Sequence, residues 1–299
     1  MFVIKYKKIF VSISVALVSL SIVFLAIFGL KPGIDFKGGA QAEIVYGTSR
    51  PDFNLLREEI KKLDIGEALL QPTGENGLIV KTRDLSEIER QNLFGALSGN
   101  GAYQFEEKSF TSIGPSVGEE LRRKAIVSII LVITAIILFI AFAFRQVSRP
   151  VSSWKYGVIA VLALVHDIAI PTGIVALLGK FRGLEVDTLF VVALLTILGL
   201  SVSDTIVIFD RIRENLKLRL MPTFAETVGK SLNQSFVRSI NTSMTVILVL
   251  LALLFFGPQS TKYFAFVLAV GMFFGTYSSI FLASPLLVFI EEWQKRKKK

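Results

Sequence analysis

Six stretches of this chain are long and apolar enough to cross a bilayer, and polar, mostly basic segments separate them. A spanning helix needs about 20 predominantly apolar residues to match a hydrocarbon core of about 30 Å. Residues 9–30, 125–144, 156–178, 189–209, 240–256 and 263–290 meet that requirement. The last is long for one span, and Pro285 marks a place where it would kink. The first follows Lys5, Lys7 and Lys8, as a signal peptide would. Its apolar run is longer than a signal peptide needs and no small-x-small cleavage site follows, so it reads as an uncleaved anchor.

A different periodicity governs residues 31–124. Positions 41–46 alternate as a half-buried strand does, and Phe53, Leu56, Ile60 and Leu63 recur at helical spacing within 52–63. Residues 68–71 and 78–81 read as strands around the turn Gly74-Glu75-Asn76-Gly77. Ile88, Leu93, Phe94 and Leu97 predict a second helix that stops near Gly99-Asn100-Gly101, and 103–109 predicts a last strand. The order βαββαβ is the split βαβ, ferredoxin-like pattern. Between the fourth and fifth spans, Phe224, Val228, Leu232 and Phe236 form an apolar stripe. It suits an amphipathic helix on the membrane surface, and equally a loop helix packed on the bundle.

Composition agrees. The 299 residues are 52% hydrophobic with a net charge of +9, and the mean hydropathy is +0.61. In a soluble chain that charge would suggest nucleic acid. Here the basic residues flank apolar runs, where topology requires them, and no nucleic-acid partner is expected. Sixteen Lys and Arg lie on one set of flanks: Lys5, Lys7, Lys8; Arg145, Arg149, Lys155; Arg211, Arg213, Lys217, Arg219, Lys230; and residues 295–299. Only Lys180, Arg182 and Lys262 lie on the opposite short loops. The asymmetry predicts that both termini are cytoplasmic, while the long segment 31–124 translocates regardless of its own charge. The fold expected is an α-helical membrane protein: a six-helix bundle carrying an extracytoplasmic α+β, ferredoxin-like domain. Its parts are 1–30 (N-terminus and first span), 31–124 (the outer domain), 125–290 (five spans with an amphipathic cytoplasmic loop near 210–237) and 291–299 (a basic tail). With no cysteine and one histidine, disulfides, thiolate metal sites and multi-histidine metal sites are excluded, and no cofactor is expected.

Four polar clusters remain. Gly33-Ile34-Asp35-Phe36-Lys37-Gly38-Gly39 reads as a helix-exit turn and lacks the Gly-Lys-Ser/Thr ending of a phosphate loop. In Gly114-Pro115-Ser116-Val117-Gly118-Glu119-Glu120, Ser116 is placed to cap a helix whose first turn is acidic. His166-Asp167 falls roughly 16 Å into the third span. A charge there costs about 2.5–3.5 kcal/mol, so the pair serves either a proton path or a hydrogen-bonded packing contact. Their side chains diverge by about 100°, which predicts that only one faces any given partner. The fourth cluster pairs Ser201, Ser203, Asp204 and Thr205 on the fourth span with Arg238, Asn241, Thr242 and Thr245 on the fifth. Ser201, Asp204 and Thr205 share one helix face, and Arg238, Asn241, Thr242 and Thr245 share another. Two polar stripes on consecutive helices are expected to face each other rather than lipid. Asp210 and Arg211, at the exit of the fourth span, read as interfacial anchors.

Together these clusters, with the Asp-Arg-Ile-Arg-Glu-Asn run at 210–215, resemble the SecF family of the SecDF protein-export complex, within the resistance-nodulation-division superfamily. SecF sequences often carry Asn before the membrane carboxylate, where this chain has Ser203, which keeps a hydroxyl donor but lacks the amide. The resemblance implies a non-enzymatic subunit that, with SecD, uses the proton-motive force late in the export of unfolded preproteins across the inner membrane. It implies the SecYEG channel, and YajC and YidC, as further partners. It places proton transport on Asp204 and Arg238, with His166 and Asp167 extending the path and Ser201, Ser203, Thr205, Asn241, Thr242 and Thr245 in support. The alternative is a stand-alone proton-coupled exporter of small molecules or lipids of the same superfamily; such exporters usually carry twice as many helices. A fusion near Ser98 to a reporter that works only in the cytoplasm is expected to be inactive, and activity there would invert the assigned topology.

Overall fold

A computed structural model describes residues 2–143 and 151–297. Arg145, Arg149, Lys298 and Lys299 from the charge asymmetry, and residue 144 of the second predicted span, lie outside the described residues. The chain divides into two compact units, Pro32–Ile126 and a helical unit of Met1–Lys31 with Val127–Lys299.

The smaller unit is built by alternation. After the short helix α1 (Phe2–Lys5) and the long helix α2 (Lys7–Phe28) of the larger unit and a single turn α3 (Ile34–Lys37), its elements run β1 (Gly39–Tyr46), α4 (Phe53–Lys61), β2 (Leu69–Thr73), β3 (Gly77–Thr82), α5 (Glu87–Leu97) and β4 (Phe105–Ile113). The strands order β2-β3-β1-β4, every neighbouring pair antiparallel, which is the ferredoxin-like sheet. Ala40, Ala42, Ile44 and Tyr46 of β1 and Leu78 and Val80 of β3 are buried. Leu56 and Ile60 of α4 and Leu93 and Leu97 of α5 meet most of them in one core. The Tyr46 hydroxyl donates to the Leu97 carbonyl at 3.0 Å, tying sheet to helix, and burial pushes the phenol up to about 12. The last strand runs four residues beyond its predicted end at 109, because β4 pairs with β1 as far as Gly39↔Ile113.

Two glycine motifs that lie far apart in sequence form one contact here. Gly38 and Gly39 both have positive φ (79° and 145°). A Cβ on Gly118 would approach the Gly38 nitrogen to 2.8 Å, and one on Gly38 would approach Pro115 Cα to 2.9 Å. Only glycine lets these two backbones meet. The helix α6 (Pro115–Ala143) begins at Pro115, so Ser116 lies inside its first turn instead of capping it, and Glu119 and Glu120 fall beyond that turn. Proline suits such a first position because its absent N–H would have no helical partner.

In the larger unit, α7 (Ser153–Arg182), α8 (Thr188–Lys217), α9 (Phe224–Phe256), α10 (Gln259–Ser278) and α11 (Ser284–Lys297) follow, with a π-helical turn Ser279–Ala283 between the last two. Counting α10, the π turn and α11 as one stretch, six helices among the described residues are long and apolar enough to span a membrane. The π turn ends just before Pro285, which has no N–H for the Phe281 carbonyl; the wider turn takes up the irregularity expected there. The core lies among α7, α8, α9 and α10. Ile130, Leu131, Leu138 and Phe139 of α6 and Ile13, Leu20 and Ile27 of α2 are exposed, as lipid-facing positions are.

The segment between the fourth and fifth spans differs from a surface-lying helix. Thr223 caps α9 through a reciprocal bond with Glu226, and the helix then runs unbroken for 33 residues into the fifth span. Phe224, Val228 and Leu232 are buried with Phe209, Ile212, Leu287 and Val288, while Phe236 is 40% exposed. Because α8 also continues to Lys217, two rods project side by side, and the stripe is covered by its neighbours. Asp210 and Arg211 pair along the exposed side of α8, with Arg213 and Glu214, each at 2.7 Å.

In the smaller unit Glu89 closes the cap of α5: Ser86 N–H donates to it at 2.8 Å, and Arg83 pairs with it. Arg83 first, and then Ser86, holds its carboxyl at about 2, below the ordinary 4.5. A group so lowered contributes stability that is present above 4.5 and fades as the pH falls through about 2. The excised domain Pro32–Ile126 is therefore expected to lose stability across that acid window, followed by circular dichroism, and Glu89→Gln to lose less across it.

Candidate functional site

The buried polar groups of the bundle are positioned by one close helix pair. Ile197, Ser201 and Thr205 follow each other every four residues on α8; Gly271, Gly275 and Ser279 do the same on α10 and its π turn. A Cβ on Gly275 would come within 3.2 Å of the Ser201 Cβ, and Ile197 occupies the space a side chain at Gly271 would need. Small residues in register let two backbones approach closely in a membrane, where packing and hydrogen bonds replace the hydrophobic drive.

That approach seats Asp167. Ser201 Oγ donates to Asp167 Oδ2 in a short bond, and Asp167 Oδ1 shares a 2.9 Å hydrogen bond with His166 Nδ1. Both residues are buried, at 0% and 1% exposure. They were expected to diverge, and instead they bond each other. His166 stacks on Tyr277 with ring centroids 6.0 Å apart, and its Nε2 is buried without a partner. Pro171, one turn on, supplies no N–H for the Asp167 carbonyl, so α7 is loosened where the pair sits.

Asp204 lies on a different side of α8. Ser239 of α9 donates to its Oδ1 at 2.5 Å, while its Oδ2 is buried without a hydrogen-bond partner. Thr205 Oγ1 and Ser279 Oγ share a bond of 2.8 Å, and Ser279 also lies against the Asp204 carboxyl. The two stripes predicted to meet do so only in part. Arg238 is exposed and close enough to Asp204 for its charge to bear on the carboxyl, without an ion pair. Asn241, Thr242 and Thr245 are also exposed, as is Ser203; Thr245 bonds back to the carbonyls of Asn241 and Thr242 at 2.7 and 2.9 Å. The face of α9 turned inward carries Ser231, Ser235, Ser239 and Ser243. That four-residue serine repeat is visible in the sequence, although small hydroxyls are a weaker signal of a buried polar face than Arg or Asn. Nearer the ends of α8 and α9, buried Asn215 donates to Ser231 and Gln234, both at 2.8 Å, and holds these helices in register.

Residues 95–293 match the family described as protein export membrane protein SecD/SecF, C-terminal. The chain belongs to this SecD/SecF family. Residues 23–49 match the SecD/SecF GG motif, which contains Gly38 and Gly39. Among SecF proteins, the protein translocase subunit SecF of Thermobaculum terrenum is 40% identical, over 98% of this chain and 94% of its own length. That of Anaerolinea thermophila is 36% identical over 96% and 94%. The crystal structure of SecDF from Thermus thermophilus, a translocon-associated membrane protein, superposes with a TM-score of 0.81 at 32% identity. It takes in 97% of this chain, which spans 38% of that longer one. Protein export, as a multi-pass membrane subunit, is thus the function shared with the SecD/SecF relatives, and none of them points to a small-molecule or lipid exporter.

The inward and outward faces of α9 can be told apart chemically, because the chain has no cysteine of its own. In the chain purified alone in detergent, Asn241→Cys and Thr245→Cys are expected to react readily with a small maleimide. Ser239→Cys and Ser243→Cys should be protected by at least several-fold, and equal rates at all four would refute the orientation of α9.

Proposed function

We propose that the chain acts with SecD as a proton-driven subunit of the export machinery, and that Asp204 carries the proton. The observation that carries this reading is the state of Asp204: a carboxyl inside the span, with one oxygen held by Ser239 and the other buried and unpartnered. A structural carboxyl in a membrane is normally saturated by donors or ion-paired. Asp204 has room for one more bond, which a proton or a moving donor can fill.

Arg238 stands beside it, unpaired and exposed at the bundle surface. A carboxyl in apolar surroundings keeps its proton, and a guanidinium brought alongside favours its release. Small movements of α9 against α8 would therefore alternate loading and release, with about 2.3 kcal/mol available per charge per 100 mV. The exposed stripe Arg238, Asn241, Thr242 and Thr245 is the polar face on which SecD would close, since leaving it in lipid is costly. The His166–Asp167 pair extends the path on the α7 side. In this reading the protein lies in the inner membrane with both termini cytoplasmic, supported by the basic flanks. The outer α+β domain works near SecYEG, with YajC and YidC as accessory neighbours, on unfolded preprotein leaving the channel.

Asp204→Asn tests the assignment. Asparagine keeps the shape and one acceptor but cannot titrate. In vesicles holding the complete export machinery, the variant is expected to assemble with SecD normally and to lose all stimulation of export by a proton gradient. Full stimulation in an assembled variant would remove Asp204 from the role.

A further inference from the structure

The π turn places Ser279 between two groups that compete for its hydroxyl. Its Oγ bonds Thr205 Oγ1 at 2.8 Å in a pair where either oxygen can donate. It also lies against Asp204, whose Oδ2 has no partner. Ser279 and Thr205 are buried at 0% and 2% exposure, and the neighbouring Ser278 is equally buried. The turn itself is held open by Ser284 Oγ, which donates to the Ser279 carbonyl five residues back at 3.1 Å. A π turn inserted in an α-helix costs regular hydrogen bonding and recurs where a helix must present a group at an irregular position.

We propose that Ser279 is a positioning residue whose hydroxyl reverses direction with the charge on Asp204. The proposal rests on the carrier reading above. When Asp204 is protonated, its Oδ2–H donates to Ser279 Oγ, and Ser279 donates onward to Thr205 Oγ1. When Asp204 is ionised, Thr205 donates to Ser279, and Ser279 donates to Asp204 Oδ2. Every buried oxygen of the string keeps a partner in both states, and no heavy atom has to travel far. The anion then has two hydroxyl donors, Ser239 and Ser279, in a place without bulk water, where a charge-assisted bond is about twice as strong as a neutral one. The charges facing this string are Arg238 from α9 and Asp167, with its partner His166, from α7. The neighbouring Ser278 lies against Asp167 and donates to the Gly275 carbonyl at 3.0 Å, outside the string.

Infrared difference spectra of the full chain in lipid vesicles, taken through a pH titration, read the carboxyl directly. A C=O band of the protonated acid that Asp204→Asn abolishes belongs to Asp204. Ser279→Ala is expected to shift that band to higher frequency and to move its pH midpoint. Ser279→Thr, which keeps the hydroxyl, should leave both near the parent values. Thr205→Val, nearly the same shape, should reproduce part of the Ser279→Ala shift, and it decides the matter if Ser279→Ala fails to fold. With the complete export machinery, Ser279→Ala should lower the proton-driven rate by about tenfold, the scale of one lost bond to a charged group. An Asp204 band indifferent to both Ser279→Ala and Thr205→Val would overturn the role of Ser279 while leaving the carrier intact. A titration in which Asp204 contributes no band at any pH would overturn the carrier, and this role with it.

Discussion

The close contact between α8 and α10 is the constraint on which the rest of the bundle depends. Gly271 and Gly275 present no side chains to Ile197 and Ser201, so the two backbones meet, and the polar contacts around Ser201 and Thr205 follow from that spacing. Ser201 reaches Asp167, Thr205 reaches Ser279, and Gly275 itself lies beside the Asp167 carboxyl. In water such a contact would be one of many ways to bury area. In a membrane the apolar surface gains little by leaving lipid, so fit and hydrogen bonding between helices decide their arrangement.

The polar groups gathered there form two systems rather than one. The first, His166–Asp167–Ser201, has both carboxylate oxygens bonded and ends on the unpartnered His166 Nε2. The second, Ser239–Asp204, leaves a carboxylate oxygen open beside Ser279. A saturated pair suits a stable element, and an unsaturated one suits an element whose partners change. The helices also differ in how firmly they are held. Asn215, bonded to Ser231 and Gln234, clamps α8 and α9 three turns from Asp204. Pro171 and the π turn loosen α7 and the α10–α11 helix beside Asp167 and Ser279. Pinned by side-chain hydrogen bonds at one end, the bundle has helical irregularities beside the carboxyls.

Much of this protein is determined by its sequence through periodicity alone. Six apolar runs of sufficient length predict six spans because the bilayer offers no water to unpaired backbone groups, leaving few alternatives to a helix. Alternating and four-residue patterns in residues 31–124 specify a βαββαβ order with equal economy, and the sheet β2-β3-β1-β4 follows from it. The carboxyls Asp167 and Asp204 also stand out without any structure, since few charged groups are tolerated inside a span.

Only the tertiary structure decides which way each helix turns. The polar stripe of Arg238, Asn241, Thr242 and Thr245 was expected to meet Asp204, yet it is the Ser231–Ser243 face that turns inward. The reason is size: a serine lets α9 approach, whereas Arg or Asn would hold it away. The stripe Phe224, Val228 and Leu232 suited membrane or bundle equally, and the extension of α8 to Lys217 alongside it resolves it toward the bundle. Gly38 and Gly118 likewise give no sign, eighty residues apart, that they touch. Periodicity records which residues share a face, but the partner of that face depends on close approach between distant segments, and that information lies in the fit of the assembled helices.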